Sequence, residues 1–104
     1  MSTVKTWTKR ELIKRISKQI NEKPQVVEKI VSATFTTLRE VLSEANPEVR
    51  TEIRDFGILE VKPTKAKPKA RNPKTNEIVY VPARRKTHFK PGKLLQEELN
   101  KPLE

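Results

Sequence analysis

The apolar residues of this chain change period at Asn46-Pro47, and that change limits the folds open to it. Before it, Leu12, Ile13, Ile16 and Ile20 recur at helical spacing. So do Val26, Val27, Ile30, Val31, Phe35, Leu38, Val41, Leu42 and Ala45. After it, Val49, Thr51 and Ile53 alternate with Arg50, Glu52 and Arg54, the pattern of a strand buried on one side. A chain of 104 residues that is helical first and extended afterwards reads as one small α+β domain.

The helical part carries its own punctuation. Thr8 followed three residues later by Glu11 is a capping box, and Trp7 with Leu12 occupies the two positions of a hydrophobic staple. A first helix is expected over about residues 8 to 20, with Trp7 packing at its start rather than stacking on bases. Pro24 at the first position of a second helix forfeits a donor that has no partner there. That helix should run to about Ala45, where Asn46-Pro47 stops it. Its apolar stripe is wider than the short first helix can cover. A second copy of the chain is the simplest source of the missing surface, so a dimer is expected.

Beyond the first strand, Asp55-Phe56-Gly57 makes a turn and Ile58 to Lys62 returns, with Leu59 and Val61 on one side. The charge then becomes one-sided. Residues 62–93 hold 11 cations and a single acid, Glu77, which gives +10, the whole net charge of the protein. The remainder, with 12 of each sign, reads as a neutral body. Such blocks are often disordered tails, but this one is internal and its charges alternate. Lys65, Lys67, Lys69 and Arg71 are two apart and would share one face of an extended strand. Pro63 and Pro68 restrict that strand to an edge. Arg71-Asn72-Pro73-Lys74-Thr75-Asn76 has the composition of a turn, Ile78 to Val81 returns, and Arg84, Lys86, His88 and Lys90 alternate again.

Composition removes most other functions. With Gly57 and Gly92 as the only glycines, neither a P-loop nor a dinucleotide fingerprint can be written. There is no cysteine, one histidine (His88) and one aspartate (Asp55), so metal clusters and a Ser-His-Asp constellation lack raw material. The string Asp55-Phe56-Gly57 matches a protein-kinase motif by coincidence, since a kinase needs a far longer chain. No catalysis, cofactor, metal or small-molecule substrate is expected. No run approaches the length of a membrane span or the apolar core of a signal peptide, so no membrane partner and a cytoplasmic location are expected.

A basic two-stranded ribbon has a physical use on duplex DNA. Its cations displace counterions, and a rigid apolar ring at its tip can wedge between base pairs at a kink. By composition alone Pro73 is an ordinary turn proline; only the ribbon gives it the second reading. A small lysine-rich protein of ribosomal type, binding structured RNA, is the competing class.

Three strings, Asp55-Phe56-Gly57, Arg71-Asn72-Pro73-Lys74-Thr75 and Phe89-Lys90-Pro91-Gly92-Lys93, resemble the bacterial HU and integration host factor family of histone-like DNA-bending proteins. The resemblance spans about residues 8 to 101, and Ala83-Arg84-Arg85 ahead of the third string is closer to integration host factor. It implies an intertwined dimer: a helical dimerisation body with a small antiparallel sheet, a protruding two-stranded β-ribbon arm and a short C-terminal helix. Residues 8–61 and 89–101 would form the body and 62–88 the arm, all within one domain over 1–104. It implies that Pro73 intercalates, with Arg71 and Asn72 beside it in the minor groove. Lys65, Lys67, Lys69, Lys74, Arg84, Arg85 and Lys86 would follow the DNA backbone. Lys90 and Lys93 are further candidate DNA contacts. Pro91 would stand near the first position of the last helix, whose free N–H groups could join Lys93 in holding a phosphate. Leu94, Leu95 and Leu99 would line the inner face of that helix, and Phe56 would lie at the dimer interface.

The family usually has glycine where Asp55 and Asn76 stand; asparagine tolerates positive φ, so the tip turn can survive. Pro73 is one residue further from Gly57 than is usual, which implies a bulge or shifted register in the arm. The lysine-rich arm favours weak sequence selectivity over the selective bending of integration host factor. The expected partners are duplex DNA in the nucleoid and an identical chain, or a sister chain in a heterodimer.

Overall fold

A computed structural model describes residues 4–103. The elements run α1 (Lys9–Ile20), α2 (Pro24–Ser43), β1 (Val49–Ile53), β2 (Gly57–Pro63), β3 (Lys67–Arg71), β4 (Ile78–Val81), β5 (Arg85–Pro91) and α3 (Lys93–Leu99). They fall into two compact units that divide within α2, one through Glu40 and one from Val41.

In the first unit the expected caps are present. Thr8 is the N-cap of α1, and its hydroxyl oxygen accepts from the Glu11 backbone N–H at 3.3 Å. The same hydroxyl donates to the Glu11 carboxylate, so the side chains close the box on each other. Asn21 ends α1 in the left-handed region at φ 54°, where asparagine is tolerated. Trp7 is 44% exposed, and its ring is faced by Lys5 at 5.1 Å and Arg15 at 5.5 Å. Ile13, Val27 and Val31 form the core between α1 and α2, with Ile16 packed on it. That core takes one side of α2. On another side Ile30 is 61% exposed and, with Ala33, Thr34, Thr37 and Leu38, borders an open apolar groove of about 580 Å³.

The second unit holds both sheets. Three strands pair antiparallel in the order β1-β2-β5, and β3 and β4 pair separately as a two-stranded ribbon. Helix α2 ends at Ser43, two residues short of the expected Ala45, which is buried beyond the helix. Asp55 turns β1 into β2 with φ 64°. Asn76 likewise adopts φ 62° at the ribbon tip, so asparagine does take the conformation the turn needs. Pro91 ends β5, Gly92 is the N-cap of α3 and Lys93 is its first residue. The expectation that Pro91 opens the helix is therefore corrected: it is the last residue of β5, paired with Gly57.

Gly57 is fixed by packing, not by its φ. A Cβ there would collide with the Lys90 carbonyl oxygen and lie 2.7 Å from the Phe89 ring. The Phe56 and Phe89 rings meet beside it, 5.1 Å between centroids. Gly57→Ala should therefore lower stability by about 1–3 kcal/mol, as overpacking does. Urea denaturation at constant m-value checks this; an unchanged midpoint would refute the packing reason.

Candidate nucleic-acid interface

The ribbon grows out of the body sheet through the β2–β5 pairing. Lys62 pairs with Lys86 and Pro63 with Arg85, so these residues still belong to the three-stranded sheet. Thr64 then closes the neck: its N–H donates to the Arg84 carbonyl at 2.6 Å, and its hydroxyl meets the Arg84 N–H and carbonyl at 3.1 Å. This closure gathers Lys65, Lys67, Arg84, Arg85 and Lys86 around a cleft of about 510 Å³ with no carboxylate in its lining. Five cations around one opening repel each other, and an anion entering it relieves that repulsion.

Further out, the register shifts. Lys67 pairs with Val81 and Ala70 with Val79, three steps on β3 against two on β4. That is a bulge, and it contains Pro68, which has no N–H to give a ladder. It corrects the expectation that Lys65, Lys67, Lys69 and Arg71 share one face. Lys67 shares its face with Ala70, whereas Lys69 and Arg71 lie on the other, so the ribbon offers cations from both sides.

The tip is a compact hydrogen-bonded turn. Asn72 N–H donates to the Glu77 carbonyl at 2.8 Å, and Asn76 N–H to the Asn72 carbonyl at 2.7 Å. The Asn72 side chain accepts from the Lys74 N–H at 2.9 Å, and Arg71 donates to Asn76 Oδ1 at 2.9 Å. Asn72 is thereby committed to shaping the loop. Pro73 stands between these anchored neighbours, exposed to solvent, and Lys74 is exposed beside it.

Two further expected DNA contacts also have structural duties. Arg85 Nη1 donates to the carbonyl oxygens of Ser43 and Ala45, each at 2.7 Å, and so satisfies acceptors left open where α2 ends. Lys90 Nζ lies 3.2 Å from Glu60 Oε1. Glu60 is 3% exposed and also holds Lys62 at 3.3 Å and Arg50 at 3.9 Å. The Lys90 ammonium first, then Lys62, holds its carboxyl below the usual glutamate range, outweighing the burial that opposes ionisation. Sequence reasoning passed over Glu60, although its place one step from the buried Val61 in a strand with cations on both sides was a signal. Lys93 begins α3 behind a cap with no side-chain acceptor.

The family model for "Bacterial DNA-binding protein" matches residues 7–100. The chain belongs to that family. It is 39% identical over 94 residues to the integration host factor subunit beta of Hahella chejuensis, covering 89% of this chain and 92% of the relative. It is 35% identical over 92 residues to the DNA-binding protein HU of Thermotoga maritima, covering 88% and 98%. An Anabaena HU–DNA cocrystal structure superposes with TM-score 0.80 at 29% identity, over 92% of this chain and all of that one. The family resemblance read from the three sequence strings therefore holds, and with it the α+β fold of an architectural DNA-binding protein.

Two consequences separate the cations that have structural partners from those that have none among the described residues. Arg85→Ala should cost about 1–2 kcal/mol of folding stability in the absence of DNA, measured by urea denaturation, whereas Lys69→Ala should leave the midpoint unchanged. Glu60→Gln should be less stable than the parent at neutral pH. Because the native pKa of Glu60 is depressed, its ionisation stabilises the fold above the ordinary glutamate range. That contribution is lost as pH falls through the lower native value. The gap between variant and parent, followed by thermal melts, should close on acidification; a gap that widens would refute the assignment.

Proposed function

We propose that this architectural DNA-binding protein acts as a dimer that bends duplex DNA with little sequence preference. The basic ribbons follow the minor groove and Pro73 wedges between base steps. The observation that carries the reading is an exposed proline at the tip of a two-stranded ribbon whose root gathers five cations. An isolated ribbon of this kind is marginal in water, and a polyanion supplies what it lacks. The names of its relatives, HU and integration host factor, support the same reading. Lysine outnumbers arginine along β3, which favours following phosphates over reading groove width. In this reading the protein works on nucleoid DNA.

Dimerisation rests on apolar surface that the chain leaves open. In the first unit this is the groove beside Ile30 and Leu38; in the second, Phe56, Phe89, Leu94 and Leu99 are between 43% and 65% exposed. An identical chain, or a sister chain, offers matching surface for both.

The test of bending is energy transfer between the ends of a labelled duplex of about 40 base pairs, titrated at two salt concentrations. Transfer should rise at saturation, and affinity should fall steeply with salt, by about 10³–10⁵ between 50 and 200 mM for six to ten phosphate contacts. Pro73→Ala should retain the salt dependence while losing much of the rise in transfer. Equal bending by parent and variant would remove the wedge from the mechanism. Competition between random and A-tract duplexes separates weak from selective bending; a ratio near one supports weak selectivity, and a strong preference for the A-tract duplex supports the selective alternative. Ile30→Asp should shift the protein toward monomer in sedimentation equilibrium; an unchanged mass would place the interface elsewhere.

A further inference from the structure

The balance of charges outside the ribbon conceals a second concentration of positive charge. Residues 1–23 contain seven cations and two acids, a net +5 that is cancelled only by acids elsewhere in the chain. Helix α1 holds five of those cations and one acid, Glu11. Three of the five cations are set apart from the other two. Lys9 donates to Ser32 and Arg15 faces the Trp7 ring, but Arg10, Lys14 and Lys18 have no ion-pair partner among the described residues. All three are exposed.

These three residues are spaced i, i+4, i+8, so they form one exposed stripe along the helix, flanking the face that carries Ile13 and Ile16. Adjacent members are about 6 Å apart along the axis and the stripe is about 12 Å long. One strand of duplex DNA rises about 3.4 Å per phosphate along its axis and winds as it rises, so successive phosphates lie further apart than the rise, at a spacing comparable to one step of the stripe. Like charges at i, i+4 weaken a helix, so the stripe is not explained by helix stability. A membrane surface fits poorly, because Ile13 and Ile16 on the apolar side of α1 are already engaged in the core with Val27 and Val31 and are not free to insert.

We propose that Arg10, Lys14 and Lys18 of α1 form a second contact for the backbone phosphates of duplex DNA, separate from the ribbon and indifferent to sequence. The inference rests on the DNA-binding reading above and adds a surface to it. No base contact is involved, so the stripe adds affinity and salt dependence without selectivity.

The test uses the full chain with Arg10→Gln, Lys14→Gln and Lys18→Gln combined. Glutamine keeps the helix propensity, and circular dichroism confirms that the fold is intact. Binding to duplexes of about 20 and 40 base pairs is measured from 50 to 200 mM salt, beside a ribbon variant with Lys65→Gln and Lys67→Gln. On the longer duplex the helix variant should show a salt slope smaller by up to about 2.7, roughly 0.9 for each phosphate lost. Its loss should shrink on the shorter duplex if the stripe holds DNA beyond the ribbon's footprint, and stay if it holds DNA within it; both results support the contact. A slope equal to the parent's on both duplexes overturns it, while the ribbon variant still reports ordinary DNA binding. A parent that binds neither duplex overturns the DNA reading and this inference together. If the helix variant loses binding to phosphatidylserine vesicles and keeps the parent's slope on DNA, the stripe serves a lipid surface and the proposal fails.

Discussion

The antiparallel pairing of β2 with β5 is the contact on which the remaining structure depends. It joins residues 57–63 to residues 85–91 across a stretch of chain that includes the whole ribbon. Closing so long a loop costs entropy that local contacts cannot repay, so the pairing must be well packed where it begins. It is: Gly57 lets the β5 backbone and the Phe89 ring approach closely, and Glu60 clamps Lys90 from across the strand. From that anchored pair the strands leave together, and Thr64 seals their exit against Arg84. The cationic cleft at the root of the ribbon is the geometric result.

Much of this was legible in the sequence where a local rule governs. The capping box at Thr8 and Glu11, the proline start of α2, the alternation of β1 and the Asp55-Phe56-Gly57 turn all depend on residues close in the chain. The chain reads less well where one residue answers to a distant one. Arg85 resembles its basic neighbours, yet its guanidinium is drawn to two carbonyls about forty residues earlier. The bulge near Pro68 breaks a four-residue alternation that looked regular, because register is set by the partner strand and not by the strand itself. A one-residue excess between Gly57 and Pro73 announced such an irregularity without locating it.

Charge has a similar lesson. Summed over residues 62–93, it points to the ribbon, and the root of the ribbon is where the described structure gathers five cations. The same sum hides two opposite facts. Glu60 neutralises part of the sheet from within, and α1 carries positive charge that more distant acids cancel only on paper. Electrostatic attraction for a polyanion depends on where charges lie relative to a Debye length of about 8–10 Å, so a net charge of zero over a body does not make its surface neutral. Of the cations proposed to face DNA, those held by Glu60 or by the end of α2 set the fold, and those further out on the ribbon are free of such partners among the described residues.

The central claim is that the exposed ring of Pro73 enters the base stack. The most direct measurement places 2-aminopurine at successive steps of a duplex and follows its fluorescence as the protein binds, because unstacking removes the quenching by neighbouring bases. Intercalation predicts a rise at steps adjacent to the ribbon tips for the parent and little rise for Pro73→Ala at equal occupancy. Full occupancy with flat fluorescence at every step would contradict it and leave the ribbon as a phosphate-binding arm alone.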